Sequence, residues 1–231
     1  TPTPTPTLPD ISTKMLTGTG ITLCSNLSEI NLPCTLQWLG GYFGLGQDGE
    51  VQAGYIMSYK LLNRNGDECI KDNITGRIWE KKTITKSGFK DLRDDSWTYT
   101  WFNPDDNYNG GYAGKQNGGV CYGKANGYQC DTQGYIAALN EANYCGYSDW
   151  RLPTRSELFS IADYGREKGL NPIFVRVSDY FGSWSSSPTA GDSRKAWGVM
   201  FFNGASSDYV DGGGEYKNSP RPILAVRSEK F

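Results

Sequence analysis

The chain has 231 residues, 37% hydrophobic and 13% aromatic, enough to bury one real core, so it reads as one main domain plus an extension. Its 23 basic and 25 acidic residues leave a net charge of −2, too little basic surplus to attract nucleic acid or an anionic membrane. No stretch approaches the roughly 20 apolar residues of a membrane span, and there is no histidine, so the common general base, nucleophile partner and zinc ligand are missing.

Residues 1–10, TPTPTPTLPD, alternate Thr with Pro and predict an extended, polyproline-like stalk or linker. Residues 11–60 include LGGYFGLGQDGEVQAG, which is aperiodic, and are expected to form an irregular N-terminal extension packed on the core. The main domain then spans 61–231. It opens on KLLNRNGDECIKDNITGRIWEKK, where Asn65-Gly66 and Thr75-Gly76 separate β-prone runs and predict a short meander ending in a strand from Ile78 to Glu80.

From Asp91 to Asp131 the chain is rich in Gly, Asn and aromatic residues. A loop of that length inside a compact domain is functional or disordered, and a cysteine clip within it argues for an ordered one. A helix follows from Asp131 or Thr132, with Ile136, Leu139 and Ala142 at helical spacing and Gly146 as its stop. A second helix runs from about Arg155 to Glu167, because Thr154 and Glu157 stand at capping-box spacing and Pro153 suits the approach. Short strands come next, GSWSSSP, KAWGVMFFN, ASSDYVD and PILAVRS, with an Asn203-Gly204 turn between the second and third. A strand, two helices and several antiparallel strands define the α+β class.

The six cysteines contain no CxxC pair, which disfavours tetrahedral zinc and thioredoxin-like redox chemistry and favours three disulfides. Cys24 with Cys34 and Cys121 with Cys130 would each close a short polar loop, leaving Cys69 with Cys145. Such bonds persist outside the cell or in the periplasm, not in a reducing cytosol.

GLGQDGEVQAG, CIKDNITGRIWE, CDTQGYIAALNEANYCGYSDWRLPTRSEL, GSWSSSP, AWGVMFFN and the final RPILAVRS together resemble the Legionella collagen-like protein C-terminal (Lcl) domain family, bacterial surface and secreted proteins. The resemblance covers nearly everything after the stalk and implies a C-type lectin-like fold, two helices packed on short, mostly antiparallel strands. In that fold WRLP links the helices, so Trp150 and Leu152 are expected in the core, with Arg151 on a carboxylate or backbone carbonyls. RLPTRSEL is also similar to the formylglycine-generating enzymes, but those work through cysteines late in the domain, and none follows Cys145 here.

Candidate ligand residues gather in the C-terminal third: Trp184, Arg194, Lys195, Asp208, Tyr209, Asp211, Glu215, Tyr216, Lys217 and Asn218, a mixture of rigid aromatic anchors and adaptable polar groups. Trp197 is expected in the core instead, since both faces of AWGVMFFN are apolar. Asp105, Asn107 and Asn109 alternate before Gly110 as in the first half of a calcium loop. Gln116 stands where the twelfth-position Glu would be, so no EF-hand forms, though these oxygens could take a calcium ion. The acidic pairs Asp94-Asp95 and Asp105-Asp106 could serve a glycosidase, but adjacent loop carboxylates are usually solvated.

The sequence therefore predicts a non-enzymatic, adhesin-like recognition domain, extracellular or on the cell surface. Its expected partner is a glycan or surface protein, with no required cofactor, no nucleic acid and no membrane span. The alternatives are a structural tip or cap subunit of a surface appendage and, third, an enzyme.

Overall fold

A computed structural model describes residues 17–24, 32–34, 47–85, 91–124, 127–166, 169–174, 180–202 and 210–228. The Thr/Pro stalk and the Asn203-Gly204 turn lie outside them.

In the extension, Leu23–Cys24 (β1) and Leu32–Pro33 (β2) pair antiparallel, and Asp48–Val51 forms a single helical turn, α1. The extension is fastened to the rest of the chain by its backbone, Tyr164 N–H donating to the Thr19 carbonyl at 2.8 Å. The approach is so close that a Cβ on Gly165 would lie 2.0 Å from the Gly20 carbonyl oxygen, so only glycine fits there.

Tyr59–Arg64 (β3), Asp67–Asp72 (β4), Arg77–Glu80 (β5) and Val226–Ser228 (β9) form one antiparallel sheet in that order. Asn65 and Gly66 both take positive φ, +53° and +84°, the geometry of a two-residue hairpin turn that the Asn-Gly pair predicts. At the next turn the Asp72 carboxylate accepts from the Ile74 and Thr75 amides and from the Thr75 hydroxyl. β3 begins two residues before the expected division at 60/61, because Tyr59 and Lys60 already pair with Asp72 and Lys71.

Residues 91–124 and 127–131 are ordered as expected, through bridges of Thr98 to Val120, Tyr99 to Arg221 and Phe102 to Gly114. The first helix, α2, runs Thr132–Glu141, capped by the Asp131 carboxylate on the Gly134 amide. It ends before the predicted Gly146, because Asn143 turns left-handed (φ +49°) and opens a short 3-10 turn, Tyr144–Gly146. The second, α3, is only Arg155–Ser160, shorter than the predicted run to Glu167. Asp163 N–H bonds the Gly169 carbonyl and Ala162 bridges Leu170, so the chain folds back where the helix was expected to continue.

Tyr180–Pro188 (β6), Lys195–Phe202 (β7) and Val210–Tyr216 (β8) make a second antiparallel sheet, with a bulge between Trp184 and Pro188. Of the predicted strand ASSDYVD only Val210 and Asp211 are among the described residues, and β8 continues beyond them as VDGGGEY, three glycines included, because it pairs along β7 up to Lys195↔Tyr216. The molecule is mixed α+β, with small antiparallel sheets and short helices.

Two apolar clusters share the strand β5. Ile78 faces Tyr99, Trp101, Tyr135, Leu139, Trp150 and Trp184, whereas Trp79 faces Leu158, Ile161, Phe174, Val199 and Phe201. Residues 223–226 alternate likewise, Ile223 and Ala225 to the first cluster, Leu224 and Val226 to the second. Strands buried on both faces read as continuous apolar runs, as PILAV does. Inside the first cluster the buried Glu80 carboxylate accepts from the Tyr135 hydroxyl, the Lys82 ammonium at 2.8 Å and the Ala225 amide at 2.9 Å, so its charge is fully satisfied.

All three disulfides form as expected. Cys24–Cys34 closes the extension's ladder, Cys121–Cys130 clips the long loop, and Cys69–Cys145 ties β4 to the turn after α2. Trp150 is buried and its indole donates to the Tyr144 carbonyl at 3.0 Å, while Leu152 packs against the first cluster.

Arg151 meets both oxygens of Glu157, at 2.7 and 2.8 Å, and also the Leu152 carbonyl. Glu157 is the hub of this segment. It completes the capping box with Thr154 and takes a further hydrogen bond from Arg77 on β5. Burial opposes its charge, but Arg151, the Thr154 amide and Arg77 outweigh that and hold its pKa down to about 2.

Candidate functional site

The candidate site is assembled by Lys217, immediately after β8. Tyr216 is 47% exposed, whereas Lys217 points inward and is fully buried. Its ammonium donates to three backbone carbonyls, those of Asn109 (2.6 Å), Tyr112 (2.6 Å) and Ser193 (2.7 Å), and lies 4.3 Å from the centre of the Trp101 ring. Its backbone N–H donates to the Arg194 carbonyl at 3.0 Å. Burial lowers its pKa to about 8, with the charge of Asp192 pulling the other way. Three segments distant in sequence, 105–112, 189–195 and 216–218, therefore converge on one side chain.

What they carry outward is aromatic and cationic. Tyr108 is 67% and Tyr112 45% exposed. Lys195 Nζ lies 4.7 Å and the Arg194 guanidinium 5.8 Å from the centre of the Tyr216 ring. Arg194 forks onto Asp192 through two hydrogen bonds of 3.0 and 2.9 Å, which holds the Asp192 pKa down to about 2 while the Arg194 side chain stays 67% exposed. Glu215 pairs with Arg221 at 2.6 Å, and Asn218 is exposed.

Of the ten predicted ligand residues, Arg194, Lys195, Glu215, Tyr216 and Asn218 are thus brought to this end of the molecule, Arg194, Tyr216 and Asn218 exposed and Lys195 and Glu215 half-buried. Asp208 and Tyr209 lie outside the described residues, as does the side chain of Asp211. Two assignments are corrected. Trp184 is fully buried, its indole donating to the Tyr99 carbonyl at 2.8 Å, because the first apolar cluster packs around it. Lys217 is a buried brace and not a contact residue, since three carbonyls consume its donors. Trp197, expected in the core, is only half-buried, with the Arg155 guanidinium 4.0 Å above its ring.

Tyr108 and Tyr112 are the residues that sequence reasoning passed over. Their signal was present in DDNYNGGY, an aromatic on each side of a turn, but only the carboxylates and amides of that run drew attention.

The residues singled out for calcium, Asp105, Asn107 and Asn109, share one turn. Asp105 accepts from the amide and side chain of Asn107. Asn109 is buried, its amide donating to Asn103 and Asp106 and its side-chain oxygen accepting from Gly111. These hydrogen bonds tie the turn together, and the neighbouring Asn109 carbonyl already holds an ammonium. Among the described residues no group of three or more His, Cys, Asp or Glu is placed to hold a metal ion.

A separate cleft of about 470 Å³ lies between the extension and the segment after α3, lined by Thr19, Gln52, Met57, Asp163, Arg166 and Asn171, with Asp163 and Arg166 paired at 2.6 Å.

The fold and its cross-links define a small, disulfide-clipped α+β domain whose loops are gathered at one end. The model of the Lcl C-terminal domain matches residues 68–227, and the chain belongs to that family, a surface-associated one. No curated protein and no solved structure matches the chain. The disulfides and the family are both consistent with an extracellular or surface location, and no helix among the described residues is long and apolar enough to cross a membrane.

Proposed function

We propose that this chain is a non-enzymatic extracellular recognition domain, adhesin-like, with a C-type lectin-like arrangement. It binds a glycan or surface ligand through the loops that Lys217 gathers. The observation that carries this reading is the convergence of 105–112, 189–195 and 216–218 on one ammonium, with Tyr108, Tyr112, Arg194 and Tyr216 left open and Lys195 half-buried beside Tyr216. Tyrosines supply rigid contact area at low entropy cost and the cations supply charge-assisted hydrogen bonds, the combination that suits hydroxyl-rich and anionic saccharides.

The absence of enzymatic chemistry is supported by the side chains themselves. All six cysteines are bridged and the chain contains no histidine, so neither a thiolate nor an imidazole is available to start acyl or redox chemistry. The carboxylates Asp105 and Asp106 sit in an exposed turn and not in a cleft.

The test is a glycan array probed with the isolated protein, including neutral and sulfated classes. Binding to a defined class is expected, reduced at least about tenfold by Tyr216→Ala or Arg194→Ala with unchanged thermal unfolding, since each removes one hot-spot-sized contact. Silence across glycans and surface proteins would overturn the proposal.

The second reading, a tip or cap subunit of a surface appendage, has one observation in its favour. Val51, Tyr55 and Ile56 are 56%, 54% and 89% exposed on the extension. It predicts a stable complex with a sister subunit through that surface.

A further inference from the structure

We propose that the Lys217 ammonium serves the recognition loops as a tethered cation: it occupies a carbonyl cage of the kind a bound metal would fill, and it makes their arrangement independent of calcium. The cage is built from three main-chain oxygens, those of Asn109 and Tyr112 from one loop and Ser193 from another, all at 2.6 to 2.7 Å, and the indole of Trp101 closes it. Carbonyl oxygens are what hard cations recognise, and a lysine whose three donors each meet one is the covalent counterpart of such an ion. The two loops also touch above it, since a Cβ on Gly110 would lie 2.7 Å from the Pro188 side chain and one on Gly111 3.7 Å from that of Ser193.

Without a positive charge in the cage, three carbonyls, that of Asn109 buried and those of Tyr112 and Ser193 partly so, face one another unpaired, which is costly. Lys217 is thus a positioning residue. It contacts no ligand, but it sets the loops that bear Tyr108, Tyr112 and Arg194. The Asp192 carboxylate on the 189–195 turn carries the opposite charge, and the Tyr112 ring centre on the facing loop lies 5.7 Å from Nζ.

The decisive measurement is amide hydrogen exchange on the protein without ligand, so its outcome is separate from whether a glycan is ever found. In Lys217→Met, which keeps the bulk and removes the charge, exchange across residues 103–115 and 192–195 is expected to rise at least about tenfold while β4 and β5 stay protected. In Lys217→Ala, methylammonium, a free ion of the same chemistry, should restore the wild-type pattern. Wild-type exchange in the same segments should be indifferent to EDTA. Should a variant fail to fold, the wild-type EDTA measurement stands alone. Wild-type protection in Lys217→Met, loosening of the wild-type loops by EDTA, or restoration of the alanine variant by calcium and not by methylammonium would each overturn the proposal.

Discussion

Glu157 shows how much one side chain can carry. It joins Arg151, Arg77 and the Thr154 amide, so the start of α3, the WRLP segment and β5 share one carboxylate. Because its pKa in the folded chain, about 2, lies below the ordinary 4.5, the unfolded chain binds the proton more readily. Its contribution is complete above about pH 4.5 and is lost as pH falls toward about 2, a loss on the order of 3 kcal/mol. Urea titrations across this range should show that acid limb in the wild type. Glu157→Gln should be less stable by about 3 kcal/mol at pH 7, because Arg151 and Arg77 lose their partner, and should have a flatter limb. An unchanged limb in the variant would mean that other carboxylates govern acid unfolding.

Among the elements, the disulfides act at different reaches. Cys69–Cys145 spans 76 residues and joins β4 to the turn after α2, whereas Cys24–Cys34 spans 10 within the extension. By chain entropy alone the longer closure contributes about 4.5 kcal/mol and the shorter about 3. The structural contrast widens that gap, because Cys69 and Cys145 are wholly buried in the first apolar cluster. Replacing both cysteines of a pair by serine and comparing urea midpoints should therefore rank Cys69–Cys145 well above Cys24–Cys34. Equal losses would mean that the extension is as much a part of the cooperative unit as the sheets.

At the scale of the whole molecule, the expected boundary at residue 61 falls inside a strand, since β3 starts at Tyr59. Tyr59 packs edge-on against Phe174, ring centres 5.2 Å apart, and pairs with Asp72 at the end of β4. A chain begun at residue 57 should fold more stably than one begun at residue 61 by about 2 kcal/mol, the worth of a partly buried aromatic contact and the strand pairs lost with it. Thermal unfolding of the two chains decides this, and indistinguishable curves would return the boundary to residue 61.

Sequence alone determined what short-range chemistry controls. The Asn-Gly and Thr-Gly turns, the Asp131 and Thr154 caps, the cysteine pairing and the apolar runs of β7 and PILAV were all legible, because each depends on neighbours a few residues away or on simple counting. Family resemblance added the burial of Trp150 and the partner of Arg151. What only the tertiary structure decided was direction. Trp184 and Trp197 look alike in sequence, yet one is sealed by the first cluster and the other lies half-open under Arg155. Tyr216 and Lys217 are adjacent, yet strand alternation sends one outward and the other into a cage made by residues more than 20 and more than 100 positions away. A long-range hydrogen bond to a backbone carbonyl leaves no mark on composition or spacing, since every residue has that carbonyl, and so the sequence marked Lys217 as a contact residue and not as the brace between two loops.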